Sequence, residues 1–90
     1  MSDFPRLEII HEHEFEEQLA ALIPDAEEAD DFTAAAEDLL SRDPHSGFVA
    51  SLKLGIWILP MFPIRGRQVT LYYTFDERAV TLLSIVAFDD

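Results

Sequence analysis

Hydrophobic and polar positions along this chain change period twice, from two residues to about 3.6 and back to two. Arg6 to Ile10 opens with Leu7 and Ile9 alternating against Glu8, which predicts a short strand. In Glu12–Ile23 the apolar residues Phe15, Leu19, Leu22 and Ile23 fall at i, i+4, i+7 and i+8, one face of a helix that Pro24 closes. Asp25 and Glu28 resemble a capping box for a second helix. Its stripe of Phe32, Ala35, Leu39 and Leu40 is expected to be buried. Asp43-Pro44 stops that helix, and Ser46-Gly47 begins a loop.

Strand periodicity then returns. Ile56 to Leu59 predicts one strand. In Gln68–Phe75, Val69, Leu71, Tyr73 and Phe75 alternate with Gln68, Thr70, Tyr72 and Thr74, so one face is expected under the helices and the other wet. Asp76-Glu77-Arg78 predicts a hairpin connection. Ala79–Phe88 is apolar on both faces, as in a central strand or one covered by a partner. The predicted order is β-α-α-β-β-β: an α+β fold with a helical hairpin on one face of a small, mainly antiparallel sheet. Residues 1–90 are expected to form a single domain, too short for a second core.

Charge changes this picture. Residues 1–45 carry fourteen acids against Arg6 and Arg42, and residues 46–90 carry four acids against four bases, so the first half holds the whole formal charge of −12. Such a surface disfavours nonspecific binding to nucleic acid or membrane. It fits either a basic partner or a solvated face that keeps a small domain soluble. No cysteine is present, which excludes disulfides and a thiol nucleophile. The apolar run Ile56–Ile64 is about half the length of a membrane helix, and Met1–Pro5 lacks a signal-like pattern. A soluble cytoplasmic protein without a membrane partner is expected.

His11 and His13 flank Glu12. On a helix they diverge by roughly 200°, and as a strand end they lack a third ligand, so no metal and no other cofactor is expected. His45 is a loop histidine, either a general base or simply exposed. Arg65 and Arg67 flank Gly66 in a turn, near the strand face bearing Thr70 and Tyr72, with Lys53 upstream. Cations and a tyrosine on one concave face can stabilise an oxyanion and move a proton when an RNA 2′-hydroxyl attacks its own phosphate. Equally, these are turn charges that guard a sheet edge. Trp57, Met61, Phe62 and Ile64 form either a partner groove or the end of the core.

Several motifs together resemble the RelE/ParE superfamily of bacterial toxins. Phe15–Leu22 is similar to its F-x-x-x-L-x-x-L first helix, and Asp43–Gly47 to the proline and glycine after the second helix. Gly55-Ile56-Trp57-Ile58-Leu59 resembles G-x-W-E-L. Gly66–Tyr73 resembles G-R-Y-R-V-x-Y, followed by the hairpin acids Asp76-Glu77. The resemblance implies a toxin paired with a cognate antitoxin, acting either as an endoribonuclease on ribosome-bound mRNA or, as in ParE-like members, on gyrase without that chemistry. It implies catalytic roles for Arg65, Arg67 and Tyr72, substrate binding by Lys53, Arg65 and Arg67, and partner binding by Trp57, Met61 and Phe62. Three departures weaken the nuclease expectation: the resemblance implies a basic protein where this chain has a formal charge of −12, Pro60 stands where an arginine follows the tryptophan strand, and Asp89-Asp90 stand where a basic or aromatic/histidine ending is implied. A toxin-fold protein that binds a partner and catalyses nothing is the alternative.

Overall fold

A computed structural model describes residues 6–88. It is an α+β fold of two helices and a five-stranded mixed sheet. In chain order the elements are β1 (Glu8–His11), α1 (His13–Leu22), α2 (Ala26–Arg42), a 3-10 turn (Pro44–Ser46), β2 (Phe48–Ser51), β3 (Ile56–Ile64), β4 (Arg67–Phe75) and β5 (Ala79–Phe88). The strands are ordered β1-β5-β4-β3-β2. β1 runs parallel to β5, and the other pairs are antiparallel. Among the described residues no helix is long and apolar enough to cross a membrane.

The alternation expected in β4 is present. Val69, Leu71 and Tyr73 are buried beneath the helices, whereas Gln68, Thr70, Tyr72 and Thr74 lie on the other side at intermediate or full exposure. Phe15, Leu19 and Ile23 join them from the first helix, and Val80, Leu82 and Ile85 from β5. β5 is an inner strand, between β1 and β4. It carries an irregularity opposite Tyr72 and Tyr73. β1 pairs with β5 only as far as Leu82, and beyond it the backbone N–H of Ile85 donates to Gln18 Oε1 at 2.9 Å. Gln18 therefore sits on the core side of α1 to meet an amide that the strand ladder leaves over.

Three features differ from the sequence expectation. A further strand, β2, pairs with β3, so the order is β-α-α-β-β-β-β. Its four residues, Phe-Val-Ala-Ser, are too short to show a period. β3 also continues past Leu59 to Ile64, through Pro60 and Pro63. β2 pairs only as far as Ile58, so among the described residues the outer side of β3 beyond that point has no strand beside it and needs no proline N–H.

The third difference lies in α2, which is rotated relative to the expected stripe. Its buried side chains are Ala29, Thr33, Ala36, Leu40 and Ser41, while Leu39 and Ala35 are exposed and Phe32 is half-buried. Small residues let the helix approach the core closely, and the Thr33 hydroxyl donates back to Ala29 O at 3.2 Å. The larger Phe32 and Leu39 are displaced to the flank. At the start of α2, Asp25 accepts from the N–H groups of Glu27 and Glu28, the aspartate half of the expected box.

Tyr73 fixes the corner between helix and sheet. Its hydroxyl donates to Pro44 O at 2.6 Å and accepts from Gly47 N at 3.2 Å. Burial of the ring is the main cause that raises its pKa above 10.0; the Gly47 hydrogen bond opposes this, and Asp43 reinforces it. Gly47 is required for close approach, because a Cβ there would lie 2.3 Å from Ile58 O and 2.6 Å from the Tyr73 hydroxyl.

Candidate functional site

Lys53 and the turn arginines do not converge. Lys53 lies in the turn between β2 and β3, whereas Arg65 lies in the turn after β3. Nine residues of β3 separate those turns, and at about 3.3 Å per residue this is roughly 26 Å. No single phosphate spans that gap. Arg67 and Tyr72 are also separated. Strand alternation places Arg67 on the side of Val69, facing α1, and Tyr72 on the opposite face, about 17 Å further along. Arg67 lines a cavity of ≈ 280 Å³ with Gln18, Ala21 and Leu22, and its guanidinium donates to Ala87 O at 3.4 Å. The grouping of Arg65, Arg67, Lys53 and Tyr72 on one concave face, expected from their sequence positions, is therefore corrected. An odd residue spacing sends two side chains through opposite sides of a sheet. The Asp89-Asp90 ending lies outside the described residues.

Arg65 and Gly66 have φ of 51° and 81°. Positive φ at both central residues of a two-residue connection is the pattern of a type I′ hairpin turn, which follows the twist of β3 and β4. Gly66 meets this demand freely, while Arg65 adopts a conformation unfavourable for a side chain. The turn shape thus accounts for Gly66 in the Arg-Gly-Arg motif without a ligand.

The histidines are engaged locally. His11 ends β1 and His13 begins α1, so they leave the backbone in different settings. His11 Nε2 is 2.8 Å from Glu37 and His13 Nε2 is 2.6 Å from Glu17. Among the described residues, no three His, Cys, Asp or Glu side chains cluster to hold a metal ion. His45 is exposed, yet its ring packs edge-on against Trp57 and Phe75, with centroids 5.4 and 4.9 Å away.

The three residues expected to bind a partner also divide. Trp57 belongs to the aromatic corner with His45, Tyr73 and Phe75. Met61 and Phe62 line an apolar groove of ≈ 160 Å³, whose opposite wall is Phe32, Ala35, Ala36 and Leu39 of α2. Leu59 and Pro60 also line it. Phe62 is 78% exposed, unusual for so large an apolar side chain. The rotation of α2 forms one wall of this groove by placing the half-buried Phe32 and the exposed Leu39 towards β3.

The groove has an acidic border. Glu28 lies one helical turn before Phe32, and Asp31 one turn before Ala35. Asp38, further along, is occupied by Arg6 and Arg42 at 2.6 and 2.7 Å. The hydrogen bond from Arg6 is the largest cause of its lowered pKa; burial opposes it and Arg42 adds to it. The sequence placed Phe32 and Leu39 on an apolar stripe but missed their role here. The alternative small stripe Ala29-Thr33-Ala36 was the available signal. Gln18, interposed between Phe15 and Leu19, likewise marked a polar duty on a core face. No protein-family model matches the chain, and no curated protein matches it closely enough to indicate a relative.

Proposed function

We propose that this chain is a RelE/ParE-like toxin-fold protein of a bacterial toxin–antitoxin pair that works in the cytoplasm by binding a protein rather than by cutting RNA. The observation that carries this reading is the apolar groove between α2 and the unpaired segment of β3, with the exposed Phe62 at its rim. Separation of Arg67 from Tyr72, and of both turn arginines from Lys53, removes the support for a phosphate cradle. The sequence motifs support the toxin fold, and the helices and mixed sheet are compatible with it.

The occupant suited to the groove is an amphipathic helix with apolar anchors and basic flanks. Pro60 and Pro63 deny backbone N–H groups to an added strand, which favours side-chain docking. Basic flanks complement Glu28 and Asp31. The cognate antitoxin, encoded beside the toxin, is the candidate partner.

The test is binding of the adjacent gene's small protein to the purified chain by calorimetry. Wild type should bind. Met61→Glu and Leu39→Glu, both at the groove, should weaken binding at least tenfold, while Arg65→Ala with Arg67→Ala should leave it within threefold. Loss confined to the arginine variant would refute the groove as the site.

A further inference from the structure

Among the described residues nothing covers the second face of the sheet, and the geometry points to a second copy of this chain as what covers it. Helices occupy only the side facing Val69, Leu71 and Tyr73. On the other side, register places Phe48, Ile58 and Tyr72 in one cross-strand row and Thr70 beside Val86 in the next. Phe48 is 63% exposed and Phe88, at the far corner, 47%. This face, apolar along β3 and at Phe48, Val86 and Phe88 but lined by Gln68, Thr70, Tyr72 and Thr74 along β4, lies in a chain of formal charge −12. Its three long strands place no charged side chain on it between Ile56 and Pro60, Gln68 and Thr74, or Thr81 and Phe88.

Charge placement selects the occupant. Nine carboxylates lie within the two helices, from Glu14 to Asp38. A basic partner is drawn to that side and gains nothing electrostatic from the bare face. Two bare faces suit each other: their three long strands oppose no charge, and the acid Glu8 lies only at the β1 margin. In a face-to-face pair the sheets are about 10 Å apart, and each helical layer lies about 10 Å beyond its sheet. The two acidic layers are then roughly 30 Å apart, several times the ~8 Å Debye length at physiological ionic strength. Net charge thus opposes the pairing only weakly.

The area is sufficient. Strands of nine, nine and ten residues, with two of four residues at the sides, project about 550 Å² at ~3.3 Å per residue and ~4.8 Å per strand. Two copies bury about 1,100 Å² in projection. Side-chain relief raises that into the lower part of the ~1,200–2,000 Å² range of specific interfaces.

Sedimentation velocity from about 5 to 500 µM tests this. Wild type should shift from the monomer mass to twice that mass, and the shift should come at lower concentration as salt is raised. Thr70→Lys and, on a different strand, Val86→Lys should each remain monomeric across the range with an unchanged circular dichroism spectrum. Ala34→Lys, on the exposed side of α2, makes the same change in net charge and should dimerise as wild type does. Because lysine lowers the net negative charge, loss of association in the sheet variants cannot come from greater overall repulsion. A wild type that stays monomeric at 500 µM, or folded sheet variants that still dimerise, would overturn the proposal.

Discussion

Replacing Tyr73 by phenylalanine isolates the bond that holds the helix–sheet corner. The ring remains, so no cavity opens around this fully buried side chain. What disappears is one donated bond to Pro44 O and one accepted from Gly47 N. A net hydrogen bond contributes about 1 kcal/mol, and a polar group left unpaired costs about 1–3 kcal/mol when buried. Pro44 and Gly47 are only half-buried, so water recovers part of the loss. The expected destabilisation is about 1.5–2 kcal/mol, or roughly 10 °C in Tm for a domain of this size. Urea unfolding should show a lower midpoint with an unchanged m-value. The pH dependence gives a second reading. In the unfolded chain the phenol ionises near 10.0, and in the fold it ionises higher. The unfolded state therefore releases its proton first. Stability is intact below pH 10 and falls as pH rises towards the folded value. Tyr73→Phe lacks that loss, so the gap between wild type and variant should narrow above pH 10. A destabilisation under 0.3 kcal/mol, or a gap that widens with alkali, would refute the assigned role of the hydroxyl.

Gly47→Ala forces a methyl group against Ile58 O and the Tyr73 hydroxyl; it should destabilise by about 2–4 kcal/mol, measured by the same unfolding curve. Arg65→Asn should stabilise by about 0.5–1 kcal/mol, because asparagine tolerates the positive φ at the first turn position better than arginine; a lower Tm would contradict the turn assignment. On the acid side, Asp38 is held below its ordinary 3.8 chiefly by the Arg6 hydrogen bond, and Asp76 by the N–H groups of Arg78 and Ala79. Their contribution is present above pH 3.8 and is lost as pH falls through the folded values. Asp38→Asn with Asp76→Asn should unfold with a shallower pH dependence in that window.

How much of this was legible depended on whether burial alone decides a position. The period-two pattern of Gln68–Phe75 identified both the strand and its core face, because one residue of slip would have moved Tyr73 and Leu71 into water. α2 was harder. Phe32 and Leu39 outweigh Ala29, Thr33 and Ala36 in hydrophobicity, yet the helix packs its small side inward for close approach. Hydrophobic pattern gives the helix; the packing distance sets its rotation. β2 escaped notice because four residues show no period and its pairing depends on Ile56–Ile58 across a turn. The candidate site suffered most. Arg65, Arg67, Lys53 and Tyr72 are close in sequence terms, but strand length and alternation separate them. Conversely, the groove unites Phe32 and Leu39 with Met61 and Phe62 across more than twenty residues of chain, a juxtaposition only tertiary packing creates.

Mapping RNA ends after induced expression in a bacterial host tests most directly whether this chain acts by recognition or by cleavage. If the chain acts by recognition, induction produces no new codon-positioned mRNA ends, and the profile is the same for wild type and for Arg65→Ala with Arg67→Ala. Codon-positioned cleavage by wild type that disappears in the arginine variant would contradict it, and would mean that the turn arginines act on a phosphate despite their separation from Tyr72 and Lys53.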